Sequence, residues 1–240
     1  MNVYYKNHLP KAVALSVSSG GQASNPDDLY SEWLSRRISF NASNGLIMAT
    51  FGMNVFIDSI CFIDCNFSYA SITLKNFDDV IIFQDDLYTK GRNSIFNFDK
   101  KYMVESMTLN ITTGETSELF DIGYLYFGEK TVLPRFVIAP AYEIDIRSKA
   151  ETTRAGQAYG LKTPTLEKFE CSFEHISNNQ RMEMIDYIKS VQTVIPHIIE
   201  PYTTPEFAPI YATLTDGGKF DKRDNTGFWW NTQMSWEECK

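Results

Sequence analysis

Three stretches of this chain alternate between apolar and polar residues, and this period of two is the feature that most limits the fold. They cover positions 70–75, 107–112 and 142–147. Successive side chains of a β-strand point to opposite faces of the sheet, so each stretch predicts an antiparallel strand with one dry face and one wet face. The chain is therefore predicted to be mainly β.

Denser apolar runs at positions 45–51, 55–63 and 80–83 predict strands that are covered on both faces. Turn-forming residues such as those at 43–45 and 76–79 separate the runs. The chain also holds 17 Phe, 13 Tyr and 4 Trp, residues that suit the half-buried surface of a sheet. Short strands at this spacing predict an antiparallel, jelly-roll-type β-sandwich.

A single amphipathic helix is predicted after Ser177. Ser177 and Gln180 have the spacing of a capping box, in which the two side chains satisfy free amides at the start of a helix. Met184 and Val191 then recur at helical spacing, and Pro196 ends the pattern. We expect this helix to pack on a sheet, with a partner-binding helix as the alternative.

The predicted domain boundary lies near position 148. Positions 1–147 hold the contiguous series of predicted strands and form the predicted sandwich. Positions 148–240 are predicted to be a C-terminal extension, with an extended linker, a strand, the helix, a proline-rich segment and an aromatic β-hairpin. We expect the hairpin to pair positions 210–214 with 227–230 and then with 233–238.

The charge of the chain argues against nucleic acid as a partner. With 22 basic and 30 acidic residues the formal net charge is −8, and the densest basic run, at 219–223, is interrupted by Asp221. No window holds the roughly 18 apolar residues of a membrane span, so we expect no membrane insertion. The first eight residues have no apolar core of a signal peptide, which leads us to expect synthesis in the cytoplasm.

Sequence motifs for catalysis or metal binding are scarce, and we predict neither a catalytic residue, a metal nor a cofactor. The chain has no Gly-x-Ser-x-Gly elbow, phosphate-binding loop or His-Glu-x-x-His motif. We expect His8, His175 and His197 to be surface or satisfied core residues. Acidic pairs at 27–28 and 78–79 suggest calcium loops or a glycosidase pair, but turns that open a strand are the favoured interpretation. The four cysteines are expected to be reduced, buried thiols.

Aromatic residues near the C-terminus are the candidate binding or interface residues. They are Phe228, Trp229, Trp230 and Trp236. Exposed Trp faces stack on sugar rings, and Trp also dominates protein interfaces. Since Trp229 and Trp230 face opposite ways in a strand, we expect at least one of them to lie in the core.

Two segments resemble the bacteriophage tail-protein version of the discoidin-like (galactose-binding-like) jelly roll. The first is an acidic loop at 25–35 that leads to Trp33 and is followed by strands ending at Phe51 and Ile63; the second covers 122–128 and is followed by Leu133 and Pro134. The resemblance implies a virion component of the tail, tail tip or neck, made in the host cytoplasm. Such a protein acts through interfaces with other virion proteins, as a homo-oligomer in a ring.

The alternative function is a carbohydrate-binding module that contacts host surface glycans. A glycan-cleaving enzyme is a third and weaker hypothesis, because the sequence shows no ready-made pair of catalytic carboxylates.

Overall fold

The structure is a computed structural model that describes residues 1–19, 22–40, 44–89, 91–112, 120–136, 141–145, 149–152, 158–161, 166–202, 208–222 and 229–239. Within these residues the chain is mainly antiparallel β with one α-helix, as predicted. It divides into two units. The sandwich unit comprises Asn2–Thr131 and Glu200–Pro209, and the C-terminal unit comprises Met1, Val132–Ile199 and Ile210–Lys240.

The sandwich unit begins with nine strands and two short 3-10 helices. The helices are Leu9–Lys11 and Pro26–Tyr30. The strands are β1 (Asn2–Asn7), β2 (Ala12–Ser19), β3 (Gln22–Ser24), β4 (Ile38–Phe40), β5 (Asn44–Cys65), β6 (Tyr69–Lys75), β7 (Ile81–Tyr88), β8 (Ser94–Thr112) and β9 (Phe120–Val132).

The long strand β5 belongs to both layers of the sandwich. Its first part pairs with β2, its last part pairs with β9, and β8 follows it along both parts with register shifts between Thr50 and Val55 and between Ile57 and Ser59. β6 and β7 continue the sheet beyond β8. The layers face each other, because Phe51 in the first part of β5 stacks on Phe127 of β9 with ring centroids 5.8 Å apart. The predicted β-sandwich is confirmed.

Rows of apolar side chains from neighbouring strands form the core of the sandwich unit. Ile47, Leu109 and Ile72 lie side by side on β5, β8 and β6, and all three are fully buried. Phe40 and Phe120 stack with centroids 4.2 Å apart. The predicted alternation at 70–75 and 107–112 is confirmed, because every second residue of these segments is buried.

The C-terminal unit holds one five-stranded sheet with a short added strand, a separate two-stranded sheet and the helix. Its strands are β10 (Ala141–Asp145), β11 (Lys149–Thr152), β12 (Ala158–Leu161), β13 (Leu166–Ile176), β14 (His197–Glu200), β15 (Ile210–Asp216), β16 (Asp221–Lys222) and β17 (Trp230–Glu238). The order in the larger sheet is β10-β13-β17-β15-β14, with β16 beside β17, while β11 pairs with β12. The predicted hairpin is confirmed for 210–214 with 233–238, since Leu214 lies opposite Trp236. The predicted pairing with 227–230 was wrong at Trp230, which lies opposite Ile176 of β13 and Lys222 of β16; positions 227 and 228 lie outside the described residues.

The predicted helix is α1 (Asn178–Val191). The Ser177 and Gln180 side chains form the capping box as expected. Met184, Tyr187 and Val191 are buried. The helix ends ahead of Pro196, because Gln192 takes a positive φ of 50°. Among the described residues, no helix is long and apolar enough to cross a membrane.

Predictions about three strands were wrong. On β5, expected to be covered on both faces at 45–51 and 55–63, Met48 and Phe56 are 45% and 47% exposed, and only 59–63 is buried without a break.

The other two strands lie at sheet edges. Val80 and Ile81, expected to be covered, are 54% and 52% exposed because β7 is an edge strand. Tyr142 and Ile144, expected on a dry face, are 51% and 58% exposed because β10 is the edge of the C-terminal sheet. β10 pairs with β13 and therefore belongs to the C-terminal unit. The two units divide at Thr131/Val132, ahead of the predicted boundary at 147/148.

Candidate functional site

The structure places Trp236, a predicted contact residue, in the core of the C-terminal unit. It is 1% exposed, its ring packs on Phe169 with centroids 5.9 Å apart, and its Nε1 donates a hydrogen bond of 2.9 Å to the Tyr187 hydroxyl. The prediction of a surface role for Trp236 is therefore corrected. Trp236 lies on the buried face of β17, together with Thr232 and Met234.

The hydrogen bond from Trp236 belongs to a buried network that also contains His197. The Tyr187 hydroxyl lies 2.5 Å from His197 Nε2, and His197 Nδ1 lies 3.1 Å from the Ile195 carbonyl oxygen. Because a carbonyl can only accept, Nδ1 carries the proton and Nε2 accepts from Tyr187. Burial lowers the pKa of His197 to about 4, so the ring is neutral. His197 is thus a satisfied core histidine, as predicted.

Trp230 is half-buried, and two cationic side chains of the protein itself lie over its ring. The Arg181 guanidinium carbon is 4.2 Å from the ring centroid, and the Lys222 ammonium nitrogen is 5.6 Å from it. These cation–π contacts occupy aromatic surface that a ligand would need. Phe228, its predicted companion, lies outside the described residues.

Trp229 is the most exposed of the predicted contact residues that the structure describes. It is 44% exposed, and the edge-on His175 ring lies 6.2 Å away. The expectation that at least one of Trp229 and Trp230 lies in the core was wrong, because Trp229 is 44% exposed and Trp230 is only half-buried. Trp229 lies just before β17, so the alternation of a strand does not fix the direction of its ring.

A second exposed tryptophan lies in the sandwich unit, on the segment from Ser31 to Arg37 that we call the Trp33 loop. Trp33 is 70% exposed. Two hydrogen bonds shape the loop around it: the Arg36 amide donates to the Trp33 carbonyl at 2.9 Å, and the Trp33 amide donates to Ser31 Oγ at 3.3 Å. An exposed Trp on a turn fixed in this way provides a ring face for a ligand.

The chain enters the Trp33 loop from the 3-10 helix Pro26–Tyr30. Asn25 caps this helix by accepting from the Asp27 amide. The Tyr30 hydroxyl donates a hydrogen bond of 2.5 Å to the Asp27 carboxylate, and this bond raises the pKa of Tyr30 to about 12. Asp27 is therefore engaged in holding the loop entrance.

Two arginines and two aspartates meet at the exit of the Trp33 loop. Arg37 Nη2 lies 3.0 Å from Asp64 Oδ2, and Arg37 Nη1 lies 3.7 Å from Asp121 Oδ2. Arg92 Nε lies 3.5 Å from the other oxygen of Asp64. Asp64 thus bridges two guanidinium groups, while the Arg92 side chain remains 80% exposed.

The ends of three strands hold this cluster in place. Asp64 has a φ of 51° near the end of β5, and its amide donates to Asn93 Oδ1 at 3.0 Å. The Asp121 amide, at the start of β9, donates to Asn66 Oδ1 at 2.6 Å. At Gly123 a Cβ atom would lie 3.0 Å from the Asp64 Cβ and 3.5 Å from Leu34 Cδ2, so glycine leaves room for the loop to approach the strand ends.

The cluster offers hydrogen-bond donors and acceptors side by side. Guanidinium groups only donate and ionised carboxylates only accept, whereas each hydroxyl of a sugar does both. The exposed Trp33 belongs to the loop that leads into this cluster, and an apolar ring surface with a few fixed polar groups is what recognises a neutral sugar. We refer to Trp33, Arg37, Asp64, Arg92 and Asp121 as the loop site.

In the part of the chain that the structure describes, no three His, Cys, Asp or Glu side chains are grouped to hold a metal ion. The acidic pair at 78–79 belongs to a turn in which Asn76 Oδ1 accepts from the amides of Asp78 and Val80. The four cysteines are free, and Cys61, Cys65 and Cys171 are buried as expected, whereas Cys239, just after β17, is only partly buried.

Comparisons with known proteins give structural similarity only. No family model and no curated protein matches the chain. Among solved structures, a chitosan-binding module of a chitosanase/glucanase from Paenibacillus sp. IK-5 is 12% identical, with a TM-score of 0.41 over 52% of this chain and 99% of that one. A Ruminococcus gnavus fucosidase solved with fucose is 14% identical, with a TM-score of 0.43 over 53% and 28% of the two chains.

A fucose-binding module of Streptococcus pneumoniae is 7% identical, with a TM-score of 0.40 over 51% of this chain and 95% of that one. Scores and identities this low assign no ligand or site residue to the present chain. None of these three is a phage protein, and the phage assignment stays a prediction.

One residue of the loop site, Trp33, belongs to the acidic loop at 25–35 on which the resemblance rests. Arg37, Asp64, Arg92 and Asp121 lie far apart along the chain and form no motif. These residues meet because β5, β8 and β9 begin or end at the same place. An alternating pattern predicts the ends of a strand only to within a few residues.

Proposed function

We propose that this protein binds a neutral carbohydrate at the loop site, without a catalytic step. Two observations support the proposal: Trp33 is 70% exposed, and Arg37, four residues further along the same loop, has two Nη atoms that lie next to separate carboxylates. A sugar would stack on Trp33 and exchange hydrogen bonds with the Arg37–Asp64–Arg92 group.

The charge balance of the loop site favours a neutral ligand. Two guanidinium groups face two carboxylates, so the site has no net charge of its own to attract an ionic ligand. Asp64 holds Arg37 and Arg92 in fixed positions before a ligand arrives, which reduces the entropy cost of binding.

A glycan array probed with the full-length protein tests this proposal, followed by titration calorimetry with the best neutral hit. Trp33→Ala is expected to weaken binding about tenfold or more, since a truncated aromatic anchor removes the stacking surface. Arg92→Ala is expected to weaken it less, because Arg92 makes one ion pair and is mostly exposed.

Trp229→Ala is the matched control, because it removes an exposed tryptophan from the other unit. An array without a neutral hit, or a hit whose affinity survives both Trp33→Ala and Arg92→Ala, would contradict the proposal. Circular dichroism of each variant checks that the fold is intact.

An interface role in a phage virion is the second candidate function, and one observation favours it. Phe56 and Met103 are cross-strand partners on β5 and β8, and each is 47% exposed; Met53 nearby on β5 is 65% exposed. Exposed apolar side chains grouped on one surface are typical of protein interfaces.

Sedimentation velocity over a range of concentrations tests the interface proposal. The wild type is expected to self-associate, and Phe56→Ser with Met103→Ser is expected to shift it to the monomer. A wild-type protein that stays monomeric and does not associate with virion proteins made from the same phage genome would refute it.

A further inference from the structure

The outer face of the C-terminal sheet combines polar side chains, two clefts and an exposed tryptophan. Along β17, Thr232, Met234 and Trp236 point into the core, so Asn231 and Gln233 point to the opposite side. Gln233 lies across from Ser172 of β13, and its amide also bonds to the Glu170 carboxylate. This face is therefore a row of amide and hydroxyl groups.

Negative charge dominates the two clefts on this face. Each has a volume of about 350 Å³, and Asp216 lines both. The carboxylates along them are those of Glu143, Glu170, Glu174, Asp216, Asp221 and Glu237. The clefts also hold Lys168 and Lys219, but each lysine already has an acidic partner: Lys168 Nζ lies 3.3 Å from Asp145, and Lys219 Nζ lies 3.4 Å from Asp221.

The carboxylates are spread along the face instead of converging on one point. Glu170 and Glu174 are four strand positions apart, about 13 Å at the rise of an extended strand. Among the described residues no three potential ligands are grouped to hold a metal ion. The arrangement suits an extended ligand with several separate positive charges, and it does not suit a single divalent cation.

An aromatic platform lies at one end of this row. Trp229 directly precedes β17, and its 44% exposed ring is met edge-on by His175. His175 lies next to the first cleft. Its backbone amide donates a hydrogen bond to Asn231 Oδ1, and both Asn231 and Glu174 line that cleft. Stacking on Trp229 and hydrogen bonding to Asn231 and Gln233 fit a sugar ring better than a basic peptide.

We propose that this face is a second binding surface, whose ligand is a saccharide chain with free amino groups. The ammonium groups would lie beside the carboxylates of the clefts, and one sugar ring would stack on Trp229. The ligand differs in charge from that of the loop site, and the residues belong to the other unit. The two proposals can therefore fail separately.

Titration calorimetry on the full-length protein tests this inference with two ligands of one backbone: a tetramer of β-1,4-linked glucosamine and its fully N-acetylated form. At about pH 5.5 ordinary carboxylates are ionised and most sugar amines are protonated. The free-amine tetramer is expected to bind at least about tenfold more tightly, since each exposed ion pair contributes up to about fivefold. Added salt is expected to weaken binding of this tetramer.

Variants then locate the binding surface. Trp229→Ala is expected to weaken binding of the free-amine tetramer about tenfold or more. Asp216→Asn is expected to weaken it about two- to fivefold. Phe77→Ala and Asp78→Asn are the matched controls, because they remove an exposed aromatic ring and an exposed carboxylate from the sandwich unit and should leave the affinity unchanged.

Three results would overturn the inference: equal affinity for the two tetramers, an unchanged affinity in Trp229→Ala, or equally tight binding of tetralysine. The last would identify the face as a general surface for cations. Thermal melts of Trp229→Ala and Asp216→Asn exclude unfolding as the cause of a loss. The two tetramers are also compared in the Trp33→Ala background, which removes stacking of a neutral sugar at the loop site, so the two proposals can fail separately.

Discussion

Lowering the pH from 7 towards 4 should destabilise the protein through one buried residue, His197. Burial holds the pKa of His197 at about 4, against 6.5 for an ordinary histidine. The unfolded chain therefore binds a proton as the pH falls below 6.5, while the folded chain resists protonation until about pH 4. Stability from the neutral ring is present above pH 6.5, falls between pH 6.5 and 4, and is lost below that range. A difference of this size corresponds to about 3 kcal/mol.

The hydrogen-bond network explains why the folded protein cannot easily accept this proton. A proton on Nε2 would point at the Tyr187 hydroxyl, which now donates its own proton there and accepts one from Trp236. Protonation would thus leave a buried hydroxyl proton without its acceptor, in addition to burying a charge.

Urea unfolding followed by tryptophan fluorescence at several pH values measures this effect. In His197→Gln the free energy of unfolding should fall less between pH 7 and 4.5 than in the wild type, because glutamine does not titrate. His8, whose pKa burial also lowers, is present in both proteins and so does not affect their difference. His175→Gln is the control, because it removes an exposed histidine. Parallel curves for wild type and His197→Gln would refute the reasoning.

Two further predictions concern packing and capping. Gly45→Ala should lower the free energy of unfolding by about 1–3 kcal/mol, because the new Cβ would lie 2.3 Å from Phe40 Cδ1, whereas Gly217→Ala, with its nearest atom at 3.4 Å, should cost less. Equal losses in the two variants, measured by urea unfolding, would contradict this. Ser177→Ala should cost about 1 kcal/mol by removing the capping box, and Ser190→Ala near the helix C-terminus much less; a melting temperature unchanged by Ser177→Ala would argue against the cap.

Local sequence patterns predicted the helix and those strands that have a paired strand on each side. The alternation around Ile72 and Leu109 identified strands of the sandwich, because the period of two reflects a sheet with one buried face. The same pattern misled at Tyr142 and Ile144, since an edge strand exposes side chains that the pattern assigns to a dry face. Which strand lies at an edge depends on pairing with distant segments, such as β10 with β13.

The candidate sites divide in the same way. The sequence by itself determined that aromatic residues crowd the C-terminal segment. The expected alternation put neither Trp229 nor Trp230 in the core, because Trp229 lies just before β17. Only the tertiary structure decided that Trp236 is buried against Tyr187 and that Arg37, Asp64 and Arg92 meet beside the Trp33 loop. These contacts join residues that are far apart along the chain. They form only when pairing of the strands brings distant segments together.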